Sequence, residues 1–193
     1  MSTAELMATD LCERIQIEKH SRALLRDDLT ALEFVHALAD ADQFKDAARI
    51  LAFILPAREG IWWGIQCARQ NLPEHAEPEF NAALAAAEKW VLEMSEEARY
   101  AAQVAAESAG LGTAAGCVAM AAFASGNSLA PPGQEAVPPE PALASELVAG
   151  SILASALPPN PAQASERYRT FLHQGIEMIR ALQEEQRKGD PIE

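Results

Sequence analysis

The sequence is poor in the residues that build β-sheets. Aromatic residues make up 6% of its 193 residues, and no run alternates Val, Ile, Thr or Tyr with polar residues. Strands favour β-branched and aromatic side chains, and half-buried strands show that alternation. Alanine is abundant instead, and it favours helix and the close approach of one helix to another. The composition therefore predicts an all-α protein.

Basic residues are also scarce. The chain has 15 Lys and Arg against 28 Asp and Glu, which gives a formal net charge of −13. Nucleic acids and anionic membrane surfaces are bound through basic faces, and this balance of charges does not provide one. We therefore expect no nucleic acid among the partners of this protein.

Two further absences bear on where the protein resides. Residues 1–15 contain early acids and no apolar core segment, so they do not resemble a signal peptide. Residues 108–134 carry no charge, but they are rich in Ala, Gly, Ser and Pro. A membrane span needs about 20 residues that are mostly Leu, Ile, Val and Phe. We expect a soluble, cytoplasmic protein without membrane insertion.

The cysteines and histidines do not form a recognisable site. Cys12, Cys67 and Cys117 are odd in number and far apart, and no C-x-x-C occurs. That pattern suits a reducing cytoplasm better than a disulfide framework or a zinc site. The histidines are isolated from one another, and no G-x-S-x-G, H-E-x-x-H or P-loop motif is present. We therefore expect no bound metal, no cofactor and no catalytic residue.

One segment matches a nucleotide-binding pattern. Gly110-Leu-Gly112-Thr-Ala-Ala115 satisfies G-x-G-x-x-[GA]. Dinucleotide binding requires a strand before this motif and an acid about 20 residues later on a second strand. Here the preceding segment is an alanine-rich helix, and the next acid, Glu135, lies in a proline-rich segment. We interpret the glycines as the end of one helix and a tight turn before a second helix that begins at Thr113.

Helical periodicity predicts an irregular stack of about eight or nine helices. We expect an N-terminal helical arm over residues 1–20 and a single all-helical domain over residues 21–193. Residues 128–141 contain five prolines and are predicted to form an extended loop. Helical hairpins of roughly 30–40 residues succeed one another, which favours a short solenoid-like stack, with an irregular bundle as the second interpretation.

The clearest hairpin is predicted over residues 42–72. Asp42 is the expected N-cap of its first helix. Pro56 ends that helix and suits the first turn of the next one, because proline has no backbone N–H. The second helix carries Trp62 and Trp63 side by side, on two rows that flank its buried stripe.

The helix predicted after this hairpin also shows a periodic apolar stripe. Its members recur at helical spacing and are expected to face the core: Phe80, Leu84, Ala87, Val91 and Met94. Ser95 follows directly, with two acids behind it, and is predicted to cap the next helix.

Two interpretations of the tryptophan pair remain open. In the first, Trp62 and Trp63 fill space between helices, and Arg58 and Arg69 support them through carboxylates, of which Glu59 is the nearest in sequence. In the second, Arg58 and Arg69 lie on either side of Trp62 at a binding surface, where aromatic residues and arginine concentrate affinity. We favour support for Arg58 and binding for Arg69. These five residues form the candidate binding site.

Four segments of the chain carry a resemblance to a known family. They are residues 55–69, which include the tryptophan pair, and the shorter segments 110–113, 129–132 and 168–172. Together they resemble an uncharacterised all-helical bacterial family, over about residues 22–182. The resemblance implies a helical fold and a setting near type VI secretion components, beside which such proteins tend to be encoded. It implies no activity and no catalytic residue.

Two functions are compatible with these features. The first is a cytoplasmic protein–protein interaction module, an accessory or adaptor protein of a bacterial secretion system, which binds another protein and is not an enzyme. Its partner and its self-association into a homo-oligomer are left open. The second is an enzyme or ligand-binding protein for a small molecule, with a pocket near Arg58 and Trp62. A pocket with convergent polar groups would favour the second function, and a shallow apolar groove would favour the first.

Overall fold

The structure is a computed structural model, and it describes residues 6–157 and 160–189. These residues form ten α-helices and no named strand, which confirms the prediction of an all-α fold. The helices are α1 (Ala8–Arg14), α2 (Lys19–Arg22), α3 (Ala31–Asp40), α4 (Phe44–Ile54), α5 (Ala57–Gln70), α6 (Pro78–Glu93), α7 (Glu96–Ala109), α8 (Ala114–Ala124), α9 (Leu143–Ala156) and α10 (Ala164–Gly189).

Some expectations fall on residues that the structure does not describe. The predicted arm begins at residue 1 and the predicted domain ends at residue 193. Residues 1–5 of the arm and residues 158, 159 and 190–193 of the domain lie outside the described residues. The short 3-10 turn Pro161–Gln163, with the Asn160 side chain accepting from the Ala162 N–H, leads into α10.

Side-chain caps start three of the helices, and those of α7 and α8 lie where the sequence predicts them. At the start of α3, the Thr30 hydroxyl accepts the Glu33 N–H, and the Glu33 carboxylate accepts the Thr30 N–H at 2.8 Å. Ser95 caps α7 and Thr113 caps α8 in the same way, each accepting a backbone N–H three residues ahead. Each cap satisfies an N–H that has no partner inside its helix.

The expected N-cap at Asp42 is wrong. Asp42 lies in the turn between α3 and α4 with a φ of 59°, and Gln43 precedes the first residue of α4. The turn reverses the chain within a few residues, and the Gln43 N–H donates to the Leu38 carbonyl at 2.8 Å. That tight reversal needs a left-handed residue, a conformation that aspartate tolerates better than most residues.

The helices pack as an irregular bundle. Helix α9 lies against α4, α5, α8 and α10, and α8 lies against α5, α6, α7 and α9. Contacts between helices so far apart in the chain differ from those of a solenoid, in which each repeat touches its neighbours. Of the two architectures considered, the helix contacts are those of the bundle.

Trp63 lies where α4, α5 and α10 meet. Its side chain is 1% exposed, and its indole N–H donates to the Phe171 carbonyl of α10 at 2.8 Å. Gly175, one turn further along α10, allows the close approach of the three helices. A Cβ there would come within 2.7 Å of Leu51 Cδ2 and 2.9 Å of the Trp63 ring. The absence of a side chain at Gly175 is therefore what lets α10 reach this position.

The described part of the predicted arm packs on the body of the protein. The Ala8 N–H donates to the Leu29 carbonyl at 2.9 Å, and the carboxylate of the buried residue Asp46 accepts the Glu18 N–H at 2.9 Å. Four of its apolar residues belong to the same core as those of α3 and α4: Ala8, Leu11, Cys12 and Ile15. The arm thus contributes to the core of the domain.

The predicted proline-rich loop, residues 128–141, contains no helix and closes on itself. The Leu129 N–H donates to the Val137 carbonyl at 2.7 Å. The Tyr100 hydroxyl of α7 donates to the Ala130 carbonyl at 2.7 Å and so ties the start of the loop to the bundle. The loop therefore lies against α7 at its beginning, while most of its residues are exposed.

A buried arginine joins α7 to the end of α8. Arg99 is 2% exposed and donates to both Glu96 carboxylate oxygens and to the Phe123 carbonyl, each at 2.8 Å. Its guanidinium also lies over the rings of Tyr100 and Phe123. Gly126 leaves room for it, because a Cβ there would be 2.5 Å from Arg99 Nε. The charge is buried, but it is paired with a carboxylate and hydrogen-bonded to a carbonyl.

Replacing Leu51 by alanine tests the position of the core. We expect Leu51→Ala to lower the free energy of unfolding by about 2–5 kcal/mol, because truncation of this fully buried side chain leaves a cavity. Urea unfolding measures the change. His36→Ala truncates an exposed side chain on α3 and should cost less than about 0.5 kcal/mol. Equal stability of the two variants would show that this face of α4 lies outside the core.

Candidate functional site

The first turns of α5 place candidate residues on two sides of the helix. Trp63 points into the core, whereas Trp62 is half-buried at the surface beside Arg58 and Glu59. Arg58, Glu59 and Trp62 line a surface groove of about 240 Å³, together with Val91 and Leu92 from the end of α6. We call this depression the Trp62 groove.

Two large apolar side chains are exposed at the end of α6, and one of them, Leu92, lines the groove. Leu92 is 70% exposed and Met94 is 59% exposed, whereas Val91 is buried. The expectation that Met94 lies on the buried stripe of α6 is wrong, because Met94 is the C-cap residue and has a φ of 49°. A left-handed cap reverses the chain toward α7 and removes the side chain from the helix face.

Arg58 joins the start of α5 to the end of α6. Its Nε donates to the Val91 carbonyl at 2.8 Å. This carbonyl belongs to the last turn of α6, where carbonyl groups have no N–H partner within the helix and the helix dipole favours a cation. The partner expected for Arg58 was a carboxylate, and in the structure it is this carbonyl. The bond holds one wall of the Trp62 groove against the other.

Two polar groups at the Trp62 groove are not used by the fold. Glu59 is half-buried, and its carboxylate makes no hydrogen bond or ion pair with any of the described residues. The Trp62 indole N–H likewise has no acceptor among residues 6–157 and 160–189. The groove therefore offers an acceptor, a donor and an apolar floor to a bound molecule.

Arg69 lies outside the Trp62 groove and pairs with Glu88 of α6. Its two terminal nitrogens meet the two carboxylate oxygens, with Nη1 3.2 Å from Oε1. These hydrogen bonds lower the pKa of the Glu88 carboxyl below its ordinary value and raise the pKa of Arg69. Of the five candidate residues, the structure thus brings Arg58, Glu59 and Trp62 together, buries Trp63 and engages Arg69 elsewhere.

Sequence reasoning missed the part of the groove that α6 contributes. The exposure of Leu92 could have been predicted, because this large apolar residue next to Glu93 lies off the predicted stripe of its helix. The exposure of Met94 could not, since its spacing matched the stripe. Its exposure follows from the reversal of the chain after α6, which helical periodicity does not register.

The three cysteines lie among packed side chains in the described part of the chain. Cys12 and Cys67 are buried and Cys117 is half-buried, and the three are free thiols. Burial raises the pKa of all three thiols, most strongly that of Cys67. A raised pKa disfavours the thiolate, which is the reactive form in nucleophilic catalysis and metal binding.

No group of three or more His, Cys, Asp and Glu side chains in residues 6–157 and 160–189 is arranged to hold a metal ion. In the same ranges, no helix combines the length and the hydropathy that crossing a bilayer requires.

The chain was compared with known families, proteins and structures. The model of a family of unknown function, DUF6931, matches residues 34–179, a range that includes the whole Trp62 groove. This match confirms the resemblance to an uncharacterised family. No curated protein and no solved structure matches the chain. The function proposed below is therefore based on the residues of the Trp62 groove.

The ion pair between Arg69 and Glu88 makes a pH-dependent contribution to stability. Because the folded state lowers the pKa of Glu88, the contribution is present above the ordinary value of 4.5 and is lost as the pH falls through the lowered value. Both side chains are partly exposed, so we expect a coupling of at most about 1 kcal/mol. Urea unfolding of Arg69→Met, Glu88→Gln and the double variant measures it at pH about 7 and about 3.

The predicted coupling is positive at neutral pH and smaller in acid. A coupling of the same size at both pH values would contradict the ionic origin of the contact.

Proposed function

We propose that this chain, which belongs to the DUF6931 family of unknown function, is a protein–protein interaction module that binds another protein through the Trp62 groove. One observation carries the proposal. Trp62 lies half-buried in the groove beside Leu92, which is 70% exposed, and Met94, two residues further along the chain, is 59% exposed. Exposed apolar groups that cluster at one place mark interaction sites.

The composition of the groove is that of an interface centre. Tryptophan and arginine are the residues that contribute most to binding energy at protein interfaces, and both line this groove. Burying apolar surface contributes about 25 cal/mol per Å², so covering Trp62 and Leu92 supplies a favourable term. Arg58 and Glu59 lie at the edge, as polar groups do around an apolar centre.

We place this module in the cytoplasm of a bacterium, as an accessory or adaptor protein of a secretion system. The support for this setting is the resemblance described above, since proteins similar to this one tend to be encoded near type VI secretion components. The charge balance and the isolated cysteines agree with a cytoplasmic protein. The partner is then another protein of the same assembly or a further copy of this chain.

A small-molecule function at the same groove is the second candidate. Arg58 and Glu59 place opposite charges beside the half-buried Trp62, which is an arrangement that can hold a planar polar ligand. However, sites for small molecules measure roughly 300–1,000 Å³ and enclose most of the ligand. A shallow groove of about 240 Å³ is smaller than that range, so we rank this function second.

The experiment compares two exposed leucines. Leu92→Asp places a charge in the Trp62 groove, and Leu111→Asp, at the other end of α7, is the matched control at 51% exposure. Each tagged variant is used to recover partners from the native host, and the recovered proteins are identified by mass spectrometry. Because both leucines are exposed, we expect thermal midpoints close to that of the unaltered protein.

The proposal predicts that Leu92→Asp loses a partner that Leu111→Asp retains. Equal recovery of every partner by both variants would contradict it. Native mass spectrometry of the protein purified from the host distinguishes the second candidate. A bound mass of a few hundred daltons, on the order of a drug-sized ligand and lost in Leu92→Asp, would favour the small-molecule function.

A further inference from the structure

Glu59 occupies a helix position at which glutamate usually has a partner in the backbone. It is the third residue of α5, as Glu33 is the third residue of α3. In α3 the carboxylate accepts the N–H of the capping residue, Thr30, at 2.8 Å. In α5 the corresponding residue is Pro56, and proline has no N–H to donate. The Glu59 carboxylate is therefore left without the partner that the same position provides in α3.

Arg58, the other charged residue of the groove, is not paired with Glu59. It donates its Nε to the Val91 carbonyl and so serves the end of α6, where the last carbonyls carry partial negative charge. The groove thus contains a half-buried carboxylate that has no ion-pair partner among the described residues.

The charge composition of the chain also favours a cationic partner. The sequence contains no Lys, Arg or His between Arg99 and Arg167, a range that includes most of α7 and the proline-rich loop. The whole chain carries a formal net charge of −13. A cationic partner is therefore attracted at long range, while an anionic partner is repelled.

We infer that the segment which binds the Trp62 groove is a basic peptide segment of a partner protein. A large apolar side chain of that segment contacts Trp62 and Leu92, and a neighbouring Lys or Arg pairs with Glu59. The groove, of about 240 Å³, suits one or two side chains rather than a whole ligand. The inference rests on the proposed function, to which it adds the chemistry of the partner.

A random peptide library displayed on phage tests this chemistry directly. The library is selected on the full-length protein, and the selected peptides are then tested on Leu92→Gln, which removes the apolar contact without adding a charge, to retain those that depend on the groove. We expect these groove-dependent peptides to be enriched in Lys and Arg next to a large apolar residue. Their binding should weaken as salt is added, since salt screens the attraction between charges.

Glu59→Gln and Glu79→Gln separate the local carboxylate from the overall charge. Both changes remove one negative charge, but Glu79 is an exposed residue in the first turn of α6, at the opposite end from Leu92. The affinity of a selected peptide should fall roughly three- to tenfold in Glu59→Gln, because the pairing of the carboxylate with a Lys or Arg of the peptide is lost. In Glu79→Gln the affinity should remain within about twofold. Equal losses in the two variants would overturn the pairing with Glu59.

The outcomes of the selection distinguish the inference from the proposed function. Groove-dependent peptides without an excess of Lys and Arg would overturn the inference and leave the groove as a binding site. A selection in which no peptide depends on Leu92 would overturn both.

Discussion

The contact of Trp63 with α10 is the constraint on which the rest of the structure depends. The indole N–H donates to the Phe171 carbonyl, and Gly175 brings the backbone of α10 close to the same ring. This contact fixes the rotation of α5 about its own axis. Because successive residues in a helix are about 100° apart, Trp62 points away from this contact, and it lies half-buried at the surface. The two adjacent tryptophans therefore have different roles.

The Trp62 groove is a consequence of two helix ends that meet. Pro56 starts α5 without offering an N–H to Glu59, and Leu92 stands off the buried stripe of α6 just before Met94 ends that helix in a left-handed conformation. Arg58 connects the two ends through the Val91 carbonyl. Each feature has a local structural cause, and together they leave apolar surface and an unpaired carboxylate at one place. We regard that combination as the physical basis of the proposed binding.

The sequence predicted the parts of the structure that local chemistry determines. Ser95 and Thr113 could be identified as helix starts because a hydroxyl and a nearby backbone N–H are sufficient to form the contact. Asp42 and Met94 were assigned incorrectly, because their left-handed conformations arise from the packing of the helices on either side of a short turn. The candidate site was identified in α5 alone. Its second wall, and the pairing of Arg69 with α6, depend on which helix packs beside α5, and periodicity contains no such information.

The division of roles between the two tryptophans is the central claim, and unfolding measurements test it most directly. Trp63→Phe removes the donor to the Phe171 carbonyl and part of a buried ring, so we expect a loss of about 1–3 kcal/mol or more. Trp62→Phe alters a half-buried side chain without a hydrogen-bond partner in the described residues, so we expect a loss below about 1 kcal/mol. The account predicts this order in urea unfolding. Equal losses, or a greater loss for Trp62→Phe, would contradict it.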